Sequence, residues 1–135
     1  MAVTASLDTN VLVRLLVKDD AEQTLAARAL VSRHVSRSEA LLVPTTVALE
    51  LEWVLRSRYK FNKAEVLATF ATALAAVELE FESEPALEQA LAHYEDGHAD
   101  LADYFHLALA RKRQALPFWT FDVGASKAEG ARLLT

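Results

Sequence analysis

An α/β sandwich built on a mostly parallel sheet is the fold class this sequence predicts. Short apolar runs alternate with segments of helical periodicity along the whole chain, as strands joined by crossover helices require. The composition is that of a folded globular domain: 53% of the 135 residues are hydrophobic, 24% are charged, and Gly and Pro number three each. Disordered, collagen-like and low-complexity classes are thereby excluded. No repeat or linker divides the chain, so residues 1–135 are expected to form a single domain around one core.

Each element has a local reason. Val3 to Leu7 is an apolar run ending at Asp8, and Val11 to Val17 then carries apolar residues at helical spacing until Lys18-Asp19-Asp20 stops it. Asp19 or Asp20 can cap a second helix, with Leu25, Ala26, Ala29 and Leu30 as its apolar face. Ala40 to Val43 reads as the next strand, ended by Pro44. Thr45 or Thr46 can then cap a helix on which Val47, Leu51, Val54 and Leu55 recur. Asn62 with Glu65 three residues on has the spacing of a capping box ahead of an alanine-rich helix. Val77 to Phe81 alternates apolar and acidic residues, as a half-exposed strand near a sheet edge does. Pro85 suits the first turn of a helix that Asp96-Gly97 stops. The following helix, from about Asp100 to Arg113, closes on Arg111-Lys112-Arg113, which complements its dipole. Pro117 to Phe121 is the last clear strand.

Charge and composition narrow the function. With 14 Lys plus Arg against 19 Asp plus Glu the formal charge is −5, so gripping nucleic acid by a broad basic surface is not expected. Any such contact is local or assisted by a metal. There is no Cys, which removes disulfides, thiolate metal sites and a cysteine nucleophile together. No apolar run approaches the roughly 20 residues a bilayer span needs, and a cytoplasmic protein is expected.

The carboxylates carry the chemistry. In open parallel sheets, sites form outside the carboxyl ends of strands. Asp8 follows the first strand in Leu7-Asp8-Thr9-Asn10, and Asp122 the last in Trp119-Thr120-Phe121-Asp122. An Asp at a strand-to-helix turn also serves as a helix cap, and both readings stay open for each. Asp100 and Asp103 lie three apart at a helix start, on one face continued by Leu107 and Ala110. Acids in a first turn also serve the dipole. Glu50 borders the arc of Val47, Leu51 and Val54, whereas Glu52 is expected to point to solvent.

Four or five carboxylates at one sheet mouth repel one another unless a cation sits among them. Oxygen-only donors suit Mg²⁺, with Mn²⁺ an alternative, better than zinc. His93 and His98 read as solvated, and His106 as a helix-packing histidine. Such a site could coordinate a phosphodiester and activate a water against it.

Four segments together resemble the PIN domain, and within it the VapC-like toxin ribonucleases of toxin–antitoxin modules. Leu7-Asp8-Thr9-Asn10-Val11-Leu12-Val13 is similar to the opening motif of that family, Val47 to Leu55 to its acid-bearing helix, Ala99-Asp100-Leu101-Ala102-Asp103 to its aspartate helix, and Thr120-Phe121-Asp122 to its closing motif. The resemblance covers nearly the whole chain. It implies a three-layer α/β/α sandwich, Mg²⁺-dependent endoribonuclease activity, a VapB-like antitoxin partner and a homodimer. Carried onto this sequence, it makes Asp8, Glu50, Asp103 and Asp122 the catalytic, metal-binding acids, with Asp100 as a further ligand. It also gives Thr9, Asn10 and Thr120 the task of holding the carboxylates or the water around the ion.

RNA must still be held by a negative protein. Arg56-Ser57-Arg58-Tyr59-Lys60-Phe61 interleaves cations with aromatics that can bind phosphates and stack a base, although a solvated helix end has the same appearance. Arg14 is the other cation near the predicted mouth. A phosphotransferase of the haloacid-dehalogenase type is disfavoured, since the second Asp it needs two residues after Asp8 is Asn10. The alternative of a different class is a PIN-like RNA- or protein-binding module without catalysis.

Overall fold

The computed structural model describes residues 1–135, which form two compact units, Met1–Glu82 and Ser83–Thr135. Both are α/β, and every strand pairing in both is parallel. No helix is long and apolar enough to cross a membrane.

The first unit runs β1 (Ala2–Ser6), α1 (Thr9–Leu16), α2 (Ala21–Val35), β2 (Glu39–Val43), α3 (Thr45–Ser57), α4 (Lys63–Ala75) and β3 (Leu79–Phe81). Its sheet has the order β1-β2-β3, so each crossover contains two helices. The register sets Val3 beside Ala40 and Leu41 beside Leu79, with an irregularity in β1 between Val3 and Ala5. Central β2 buries Ala40, Leu41 and Val43, which pack in a core with Leu12 and Val13 of α1, Leu51 and Leu55 of α3, and Val66 and Phe70 of α4. Each fully buried Leu or Phe contributes about 1.5–3 kcal/mol relative to exposure. Edge strand β3 shows the expected alternation, with Leu79 and Phe81 buried on either side of exposed Glu80.

Two caps follow the sequence directly. Asp20 accepts from the Gln23 N–H at 2.9 Å, and Asn62 and Glu65 exchange the two bonds of a capping box at 2.8 and 3.0 Å. A third does not. Neither Thr45 nor Thr46 caps α3, because Pro44 occupies the cap position and Thr45 is the first helical residue. The free N–H of Thr45 is met instead by the carboxylate of Glu82 at 3.0 Å, while the Thr45 hydroxyl donates to the Glu82 carbonyl at 3.2 Å.

The apolar face assigned to α2 is also corrected. Leu25 is 69% exposed and Ala26 and Ala29 are exposed, whereas Thr24 and Ala27 are buried. The Thr24 hydroxyl donates to the Arg14 carbonyl at 3.2 Å. The buried face is thus displaced by one residue, about 100°, from the face that side-chain hydrophobicity selects.

The second unit runs α5 (Glu84–Asp96), α6 (Leu101–Lys112), β4 (Phe118–Thr120), α7 (Val123–Ser126) and β5 (Ala131–Leu133). Helices α5 and α6 pack together and bury Leu87, Ala90 and Tyr94 of one and Leu101, Phe105 and Ala108 of the other. The sequence predicts β4 as the last strand, but β5 pairs with it, Trp119 beside Arg132. The Arg132 guanidinium lies 5.5 Å from the centre of the Trp119 ring.

Candidate active site

In the first unit, β1 ends one residue before buried Leu7, and the chain turns into α1 at Asp8. Asp8 does cap this helix: its Oδ1 accepts from the Val11 N–H at 3.1 Å, which fixes the carboxylate at the strand end. Thr9, only 5% exposed, donates its hydroxyl to Oε1 of Glu50 on α3. The acid of α3 is therefore tied to the residue beside Asp8, although 41 positions separate the two partners. Asn10 is exposed and lines a cleft between α1 and α2 together with Asp8 and Arg14.

Glu52 reverses the expectation of a solvent-facing residue. It is 4% exposed, because the buried arc of α3 is Ala48, Leu51 and Leu55, and Glu52 lies one turn beyond Ala48 on that same arc. Both of its oxygens are held by Arg56, with Nε at 3.2 and 3.0 Å. The i,i+4 spacing with Glu on the N-terminal side was a legible signal for this pair.

The candidate RNA-binding cations divide accordingly. Arg56 is engaged by Glu52, and Arg14 by Gln23, by Asp19 at 3.3 Å and by the Tyr59 hydroxyl at 3.2 Å. Tyr59 in turn donates to Asp19 at 2.8 Å. That hydroxyl holds the Asp19 carboxyl below its ordinary value, with the charges of Arg14 and Arg58 acting in the same direction. Arg58 and Lys60 are exposed, and Lys60 sits in the left-handed region at φ 59°.

In the second unit, Asp122 follows β4 and caps α7, its Oδ1 accepting from the Ala125 N–H at 3.0 Å. The Thr120 hydroxyl accepts from the Asp122 N–H at 3.0 Å, so Thr120 orients the backbone that carries the acid. Asp100 stands at the cap position of α6, and Asp103, one turn on, accepts from the Asp100 N–H at 3.3 Å. Burial raises the Asp103 pKa. The Asp100 N–H acts against that rise, the negative charges of Asp122 and Asp100 add to it, and His106 opposes it.

His93 and His98 are exposed, as expected, but His106 departs from its expected packing role. His106 is exposed, its ring resting 6.2 Å from that of Phe118. His93 lies on α5 and is stacked on the buried Tyr104, with centroids 6.1 Å apart and planes inclined by 24°. Arg111 serves more than the helix dipole, donating to Gln89 at 3.2 Å and to the Glu129 carbonyl at 2.8 Å.

Oxygen donors thus stand in both units: Asp8 at a strand end and Glu50 mid-helix on α3 in the first, Asp122 at a strand end and Asp100 and Asp103 at a helix start in the second. Within neither unit do three His, Asp or Glu side chains gather closely enough to hold a metal ion. The donor chemistry itself fits a hard divalent cation, since every candidate donor is a carboxylate oxygen and the chain has no Cys.

A PIN-domain family model matches residues 5–131. Among solved structures, the chain is similar to VapC20 of Mycobacterium tuberculosis, a toxin that cleaves the sarcin–ricin loop. The two share 21% identity over 95% of this chain and 97% of that one, with a TM-score of 0.42. No curated protein matches the sequence. With the family match running across nearly its whole length, the chain belongs to the PIN-domain family.

Proposed function

We propose that this PIN domain is a metal-dependent endoribonuclease that cleaves RNA phosphodiester bonds, the toxin of a VapBC-type pair. The observation that carries the reading is the PIN-domain family match across residues 5–131, together with the strand-end carboxylates Asp8 and Asp122, each fixed by a helix-cap hydrogen bond. Asp8, Glu50, Asp103 and Asp122 are the proposed metal-holding acids, with Asp100 as a further ligand and Mg²⁺ or Mn²⁺ as the ion. Such an ion, when bound, stabilises charge on the phosphodiester and makes an attacking water more acidic.

The residues of the chain prepare that chemistry. The caps at Asp8 and Asp122 use Oδ1 of each carboxylate and hold it at a strand end. Thr9 holds Glu50, and Thr120 holds the backbone of Asp122. Of the four cations considered for RNA, Arg58 and Lys60 are the proposed phosphate contacts, because Arg14 and Arg56 already have carboxylate partners. A VapB-like antitoxin and a homodimer complete the proposal, which treats residues 1–135 as one functional PIN domain in the cytoplasm.

The test is cleavage of a structured RNA pool by wild type and Asp8→Asn, with Mg²⁺, with Mn²⁺ and with chelator. Cuts that require metal and vanish in the variant are expected. No cuts from folded, antitoxin-free protein under either metal would overturn the reading in favour of a PIN module that binds without cutting.

A further inference from the structure

We propose that the second unit holds one unpaired nucleotide of the RNA substrate in a cavity framed by the end of α5, the inner face of α6, and α7 with the turn after it. The proposal rests on the nuclease reading above and specifies where that substrate is gripped. The cavity measures about 330 Å³, within the range of small-ligand pockets.

Its lining combines the three chemistries a nucleotide needs. His93 and Tyr104 present a stacked ring pair, and unpaired bases bind by stacking on such faces. Tyr104 is the fixed member, being 8% exposed with its hydroxyl accepting from the Ala99 N–H at 3.3 Å, whereas His93 is the exposed one. Lys127 contributes an ammonium that enters no ion pair and so remains available to a phosphate. Asp96 and Glu129 also line the cavity, and carboxylates can accept from the amino edge of a base. A bare phosphate site would have no use for these acids, and an apolar ligand would have no use for the lysine.

Position ties the cavity to the reaction. Gly124 lines it, and a Cβ at Gly124 would stand 3.2 Å from Oδ1 of Asp122 and 3.8 Å from the His98 carbonyl. Gly124 stands two residues after Asp122 and His98 two before Asp100, so the lining of the cavity adjoins the segments that carry both acids. Gly97 completes the wall, since any side chain at that position would collide with the Tyr104 ring.

The experiment uses the full chain and a fluorescein-labelled single-stranded RNA pool. Binding is measured in chelator to prevent cleavage, and steady-state cleavage is measured in Mg²⁺. Both His93 and Lys127 are exposed, so His93→Ala and Lys127→Glu are expected to melt as wild type does. Each should weaken RNA binding and raise KM about 5–30-fold with kcat nearly unchanged. His93→Phe, which keeps a stacking face, should restore affinity. Lys127→Glu should also flatten the salt dependence of binding by about one phosphate contact. Wild-type affinity and KM in both variants would overturn the proposal, as would a loss through Lys127 alone with none through His93. If wild type cleaves while the variants match it, only the subsite fails. If wild type binds RNA through His93 but never cleaves it, the subsite stands and the nuclease reading fails.

Discussion

The Thr9 hydroxyl donates to Glu50, joining the corner where β1 meets α1 to the middle of α3. Thr9 is buried and Glu50 exposed, so the bond serves to aim the carboxylate more than to fill the core. Thr9→Val keeps shape and removes the donor. Cleavage should fall about 10–100-fold, as when the partner of a metal ligand is lost, with the melting temperature near that of wild type. Undiminished cleavage by Thr9→Val would show that Glu50 needs no such guide.

Asp103 should contribute stability in acid that is lost toward neutral pH. Its pKa is raised in the folded state, first by burial and then by Asp122 and Asp100. Between the unfolded and folded pKa values the folded chain binds the extra proton, so its contribution to stability is full below the unfolded pKa and is lost as pH rises through the folded one. Asp103→Asn should therefore raise the melting temperature at pH 7 and leave it little changed below the unfolded pKa. Added Mg²⁺ should stabilise wild type, by about 2.7 kcal/mol at a hundredfold excess over Kd, and Asp103→Asn far less. Equal stabilisation of both by Mg²⁺ would remove Asp103 from the ligand set.

Glu50 and Glu52 sit two residues apart and should fail in opposite ways. Glu52→Gln leaves a buried amide in place of the carboxylate that holds Arg56, and urea unfolding should show a loss of about 1–3 kcal/mol with cleavage by the folded fraction preserved. Glu50→Gln, on the exposed side, should leave unfolding unchanged and abolish cleavage. Exchanged outcomes would mean that the roles of the two acids are exchanged.

Gly97 is required for space. Its backbone, at φ −93° and ψ 175°, is open to any residue, but a Cβ would stand 1.8 Å from the Tyr104 hydroxyl and 2.8 Å from the His93 carbonyl. Gly97→Ala must displace the Tyr104 ring, at a cost of about 1–3 kcal/mol in thermal or chemical unfolding. Tyr104→Leu in the same chain should recover part of that loss, and strictly additive effects would show that the two positions do not meet.

Much of this architecture is legible in the sequence because it is local. Asp20, Asn62 with Glu65, and Pro85 act on residues within one turn, and the strands read at Ala40 to Val43 and Pro117 to Phe121 declare themselves by their mostly apolar character. What escaped depends on partners far along the chain. Glu82 replaces the expected threonine cap of α3 from 37 residues away, and Thr24 is buried on α2 with its hydroxyl met by the Arg14 carbonyl. Glu52 misled because a carboxylate on a helix is ordinarily solvated, while here Arg56 makes its burial tolerable. The three residues of β5 are too few to show any period. Asp8 and Asp122 are strand-end acids that also cap helices, so capping, the reading that the sequence offered beside a site role, is seen for both.

The tryptophans fall one to each unit, Trp53 on α3 and Trp119 on β4, each more than half exposed. Trp53→Phe leaves indole emission to the second unit alone, and Trp119→Phe leaves it to the first. Denaturation followed optically can then be resolved by unit, and superimposable curves from the two variants would establish that the chain unfolds cooperatively as a whole. The Arg132 guanidinium over Trp119 makes that emission sensitive to the pairing of β4 with β5, so fraying of the final strand has its own spectroscopic signal.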